Sequence, residues 1–105
     1  MNTGEFFNVI EAEHNASLDM LKRKGAEYAS GVDRLSNFKQ AAGLRDTNPI
    51  DALVGMVVKH WTSISDMAKN PTAYSMDMWD EKLRDNRNYT YLMKGLLLEM
   101  YKKED

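Results

Sequence analysis

Apolar residues recur along this chain at intervals of three and four, and no segment carries a convincing strand pattern, so the sequence is confined to helices packed on helices. The clearest run is Ile50, Val54, Val57, Trp61 and Ile64, widened by Leu53, Met56 and Met67 into one broad apolar stripe. That breadth makes it the expected central, most buried helix. Its start is the sharpest boundary in the sequence. In Asn48-Pro49-Ile50-Asp51 the asparagine caps, the proline fits the first helical position without losing a needed donor, and the aspartate sits at the positive end. Lys69-Asn70-Pro71 ends it.

Four helical segments are expected in all: an all-α fold of three long helices and one short one in a compact bundle, with residues 1–105 as a single helical domain. The first helix should begin after Thr3, whose hydroxyl can cap it, with Phe7, Ile10, His14, Leu18 and Leu21 as its inward stripe. The pattern breaks at Lys24-Gly25, and two glycines in seven residues, Gly25 and Gly31, point to a turn. A short helix follows, with Asp33 as cap, Leu35, Phe38, Ala41 and Ala42 on its apolar side, and Gly43 placed to stop it in a left-handed conformation. Pro71 to Asp77 reads as a loop. The last helix runs from near Met78 to about Lys102, its apolar half being Leu83, Tyr89, Leu92, Met93, Leu96, Leu97 and Met100.

Bulk properties narrow the function classes. A formal charge of -2, from 14 basic and 16 acidic residues, gives no field to hold a polyanion, which disfavours a nucleic acid scaffold. With no cysteine there is no disulfide framework, thiolate metal site or cysteine nucleophile. The longest apolar run, Ala52 to Val58, is far short of a bilayer span, and acidic Glu5 stands where a signal peptide would be basic. The expectation is a soluble cytoplasmic protein without a membrane partner.

The stretch Trp79 to Tyr89 carries the chemistry. Glu81, Asp85 and Asn88 stand at i, i+4 and i+7, so a helix puts them on one face. Two carboxylates and an amide in a stripe suit a hard divalent cation such as Mg²⁺. The ordinary alternative is a solvated first turn whose acids complement the macrodipole. Lys59, Ser63 and Asp66 share the same spacing on the preceding long helix, opposite its main apolar stripe. If the two helices pack antiparallel, Asp66 adds a third carboxylate, while Lys59 and Ser63 face phosphate. A solvated face explains them equally well.

Gly55 costs helix stability and suggests close packing by another backbone or a ligand. His14 and His60, without metal-ligand spacing, read as packing at the core margin. Lys24, Glu27, Tyr28, Asp33, Asn37 and Phe38 combine a cation, acceptors, an amide and two rings, a mixture that suits a nucleotide or, as readily, the closed end of a bundle. No Gly-rich phosphate loop, nucleophile elbow or zinc spacing occurs.

The order Lys24, Glu27-Tyr28, Asn37-Phe38, Lys59 to Ile64 and Glu81 to Tyr89 resembles the MazG-like, all-α nucleotide pyrophosphohydrolases, in particular their small phage-type and nucleotide-modification-associated branches, over about residues 20–100. The resemblance implies an oligomeric helical bundle in which carboxylates from two helices bind Mg²⁺. A metal-bound water then splits a nucleoside triphosphate into monophosphate and pyrophosphate. It also implies Glu81 and Asp85 as metal ligands, with Asn88-Tyr89 as the polar and aromatic positions after them. The chain departs from the pattern where active members carry a second acidic pair, since Lys59 and Ser63 stand there and only Asp66 is acidic.

The sequence points to a nucleotide-binding or Mg²⁺-dependent pyrophosphohydrolase-like protein, self-associating, in the host cytoplasm if phage-encoded. Its expected metal ligands are Glu81, Asp85 and Asp66, its phosphate contacts Lys59 and Ser63, and its nucleotide contacts Lys24, Tyr28, Asn37 and Asn88. The alternative is a helical interaction protein, such as a phage accessory factor, whose eight methionines give an adaptable surface for a host or virion partner.

Overall fold

Side-chain caps set most of the helix starts. Asn2 opens the first: its Oδ1 accepts from the Glu5 amide at 2.9 Å and its Nδ2 donates to Glu5 Oε1 at 3.0 Å. The expected cap was Thr3; the amide one residue earlier does that work. In a computed structural model, which describes residues 1–28 and 33–103, this helix is α1 (Thr3–Tyr28). It runs straight through Gly25, so the break expected there does not occur. The remainder of the expected turn, residues 29–31, lies outside the described residues.

A short turn leads into α2 (Ser36–Leu44). Asp33 organises it from three residues before the helix, its Oδ1 accepting from the Leu35 amide at 3.0 Å and its carbonyl from Ser36 at 3.2 Å. Gly43 is not the stop. The helix ends one residue later, and Asp46 takes the left-handed conformation at φ 53°, which aspartate tolerates better than most residues.

The third boundary is as the sequence predicts. α3 (Pro49–Ala68) starts on Asn48, whose Oδ1 accepts from the Asp51 amide at 2.9 Å, and Thr47 Oγ1 donates to Asp51 at 2.7 Å. A single 3₁₀ turn, Pro71–Ala73, then leads to α4 (Met76–Lys103). Ser75 caps it through the Met78 amide at 3.1 Å, and the Trp79 indole donates to the Pro71 carbonyl at 2.9 Å, closing the corner.

The fold is an all-helical bundle with α4 at its centre: α3 packs on one side of it and α1 on the other, while α2 lies on α3. The core is Phe38 of α2, Leu53 of α3 and Leu96 of α4, flanked by Leu35, Ile50, Met56, Val57, Tyr89, Leu92 and Met93. On α3 the buried face differs from the expected one. Ala52, Leu53 and Met67 are buried, whereas Val54 and Trp61 are exposed. The apolar surface of α3 is wider than α2 and α4 can cover, and the packing selects the Leu53 side. The molecule extends 46 × 28 × 27 Å, with a radius of gyration of 16.0 Å; a globular chain of this length has about 13 Å. Among the described residues no helix is long and apolar enough to cross a membrane.

Candidate ligand cavity

The amide and carboxylate of the acidic stripe on α4 are separated by three residues, and this places both on the wall of a cavity of about 230 Å³. Asp85, Asn88, Tyr89 and Leu92 form one wall, at spacings of three, four and seven along α4. The last turns of α1 add Leu21 and Lys24, one helical turn apart. Arg34, Asn37 and Phe38 enter from α2 and the turn before it, and Met56 comes from α3. Apolar side chains from the edge of the core thus floor the space, and polar groups from three segments converge over it.

Arg34 is positioned by its neighbours. Lys39 lies between two carboxylates, 2.7 Å from Asp33 and 2.8 Å from Glu99, and so ties the turn that carries Arg34 to α4. Those hydrogen bonds, Asp33 first and Glu99 second, hold the Lys39 ammonium above the ordinary lysine range. Gly25 matters here too: a Cβ on it would stand 3.6 Å from Arg34 Cδ and Nε, so the arginine stem lies across α1 where α1 has no side chain.

The cavity therefore holds two cations, Lys24 and Arg34, against one carboxylate, Asp85. In a concave, partly desolvated space that excess favours an anion, although the whole chain is weakly acidic. Burial, and secondarily the charge of Asp85, raises Tyr89 above the ordinary tyrosine range and keeps its hydroxyl protonated. Its ring also meets His60 edge-on, with centroids 4.9 Å apart. Asn88 is only 7% exposed, and its Oδ1 finds no hydrogen-bond partner among the described residues. A buried acceptor left in that state costs about 1–3 kcal/mol.

Of the expected site residues, Lys24, Asn37, Asp85 and Asn88 come together here. The Tyr28 and Glu27 side chains lie outside the described residues. Glu81, Asp66 and Lys59 are exposed and Ser63 is half-buried; none of the four lines the cavity. Asp66 instead stands 3.5 Å from Lys69. Among the described residues no three acidic or histidine side chains gather to hold a metal ion. Among the described residues the donor set does not make up a Mg²⁺ site by itself.

Sequence reasoning missed Arg34, because its role depends on a turn geometry set by Asp33 and Lys39 and on the bare surface at Gly25. It also missed the seam between α1 and α4. There Arg87 donates to Ser17 Oγ and Glu13 Oε2, both at 2.8 Å, and His14 Nδ1 lies 2.8 Å from the Tyr91 hydroxyl. The sequence signals for it were His14 on the inward stripe of the first helix and a serine at helical spacing from Glu13 and Leu21. The group nearest to Gly55 is the Arg45 guanidinium, 2.8 Å from where a Cβ would stand.

The chain matches no protein-family model, no curated protein and no solved structure. The likeness to MazG-like proteins rests on the residues that carry it.

Proposed function

We propose that this protein binds a nucleotide in the cavity between α1, α2, α3 and α4. Lys24 and Arg34 take the phosphate, Arg34 with the planar fork that matches phosphate oxygens and Lys24 as a point charge. Asn37 and Asn88 read hydrogen-bonding groups of the nucleoside, and the Phe38 and Tyr89 rings offer it apolar faces. Asp85 faces any Mg²⁺ that the phosphates bring. The convergence of two cations from separate segments on one cavity is the observation that carries this reading. The MazG-like order of residues along the chain supports it independently.

The size of the space sets the mode of binding. At about 230 Å³ the cavity is smaller than the roughly 300 Å³ at which pockets for drug-sized ligands begin. It has room for part of a nucleotide, with the remainder in solvent.

A thermal-shift panel of nucleoside mono- and triphosphates, with inorganic phosphate and nucleosides as controls and each with and without Mg²⁺, tests the proposal. Phosphorylated nucleosides should raise the melting temperature more than either control, and Arg34→Ala should abolish the difference. No stabilisation by any nucleotide would overturn it. Assaying the same mixtures for released pyrophosphate decides whether binding leads to turnover.

A further inference from the structure

Among the described residues, the long first helix contributes nothing to the apolar core. Phe38, Leu53 and Leu96, and the side chains packed around them, come from α2, α3, α4 and the turn before α2. Of the other helices only α4 packs on α1, and Ser17 is the one described side chain of α1 shut off from water. What holds α1 in place is the polar seam. Arg87 of α4 donates from Nε to Ser17 and from Nη2 to Glu13, both at 2.8 Å, while the Tyr91 hydroxyl lies 2.8 Å from His14 Nδ1. Water can replace such contacts far more readily than it can enter around Leu96. A segment joined by few buried apolar contacts opens locally, at a lower free energy than the whole molecule unfolds.

The same helix completes the cavity. α1 lines it with Leu21 and Lys24, and Lys24 is one of its cations. That lysine stands seven residues, about 10 Å, beyond Ser17 along the helix. The stem of the other cation, Arg34, lies across α1 at Gly25, 3.6 Å from where a Cβ would stand. Arg87 itself does not line the cavity. Its two partners on α1 nonetheless fix where Lys24 comes to rest. With α1 away from α4, the space loses Leu21, Lys24 and the surface on which Arg34 lies, so an anion meets one loosely held cation instead of two fixed ones.

We propose that α1 is a lid on the cavity, latched by Arg87: it undocks from α4 while the core of α2, α3 and α4 stays folded, and a bound nucleotide draws it shut. Arg87 is thus a positioning residue, which touches no ligand and acts through α1. The proposal rests on the nucleotide reading of the cavity. Coupling between latch and site is reciprocal. A ligand that needs Lys24 holds the lid closed, and a loosened latch shrinks the population able to bind.

Native-state hydrogen exchange of the full chain tests the proposal. In the free protein the amides of residues 10–22 should exchange together, ahead of those around Leu53 and Leu96. Leu96→Ala should speed exchange in the core and leave α1 unchanged, because the open form keeps that core. Arg87→Leu should speed α1 at least about fivefold by orphaning its partners, and Arg87→Lys, which retains the charge, should restore part of the protection. Each nucleoside mono- or triphosphate that binds in titration calorimetry should slow α1 at least about tenfold at saturation, and Lys24→Ala should lose most of that slowing. Equal acceleration of α1 and the core by Leu96→Ala would mean that α1 leaves only when everything unfolds, and would overturn the proposal. So would a nucleotide that saturates the cavity and leaves α1 exchange as it was. If Leu96→Ala fails to fold, urea makes the same distinction in the wild type: exchange of α1 should depend on urea much less steeply than exchange of the core, and equal slopes would overturn the lid. A chain to which calorimetry shows no nucleotide binding at all overturns the reading of the cavity, and the lid falls with it.

Discussion

The two sides of α4 are held by different physics. Toward α2 and α3, Leu96 meets Leu53 and Phe38, and all three are shut off from water. Toward α1 the contacts are an arginine, a glutamate, a serine, a histidine and a tyrosine, and the apolar residues beyond them stay exposed. The difference lies in whether a third helix closes over a helix pair. α2 does so on one side only, which gives one side a core and leaves the other a seam. The cavity forms at the join, floored by core side chains and rimmed by polar groups from α1 and the turn before α2.

Breaking the core side should cost most. Leu96→Ala should lower the unfolding free energy by about 2–5 kcal/mol, whereas Ile10→Ala, measured by urea denaturation at high dilution, should cost under about 1 kcal/mol because its side chain is already half in water. Equal losses would mean that the two sides are not different. At the join, Arg34→Ala should weaken nucleotide binding by about 1.5–3 kcal/mol, the value of a charge-assisted hydrogen bond, with stability little changed; titration calorimetry measures the first and urea denaturation the second.

In the seam, Arg87→Leu orphans the fully buried Ser17 hydroxyl and the Glu13 carboxylate, and chemical denaturation should show a loss of about 1–3 kcal/mol. Gly55→Ala sharpens the comparison from outside both regions. Helix propensity favours it, and the Arg45 end that it displaces is flexible and exposed, so a gain of up to about 1 kcal/mol is expected.

The shallowest effect is alkaline. Tyr89 is raised above 10.0 by burial and the charge of Asp85, and Lys39 above 10.5 by Asp33 and Glu99. Each group holds its proton more tightly folded than unfolded. Its contribution is therefore whole below those unfolded values and is lost as pH rises through the raised folded ones. Denaturation midpoints should fall above about pH 10, and less steeply in Tyr89→Phe than in the parent.

The sequence carries the elements well where a cap and a stripe agree. Asn48-Pro49 marks α3 to the residue, because its signal is local chemistry. Gly25 misleads, since a glycine in a helix reads as a break until the Arg34 stem lying over it is seen. The inward face of α3 is illegible for another reason. The apolar stripe is broad, and only the position of α2 and α4 selects its Leu53 side over Val54. The site is half legible: Asp85, Asn88, Lys24 and Asn37 are found by residue type and spacing, while Glu81, a turn away on the same stripe, ends up in solvent. A stripe fixes direction around the helix but not how far along it the neighbours reach.

Calorimetric titration of nucleoside mono- and triphosphates into the wild-type chain and into Arg34→Ala and Lys24→Ala tests the cavity most directly. Saturable binding that either substitution weakens at least about tenfold, the equivalent of 1.4 kcal/mol, is the predicted result. No heat from any nucleotide, or binding that neither substitution alters, would contradict it.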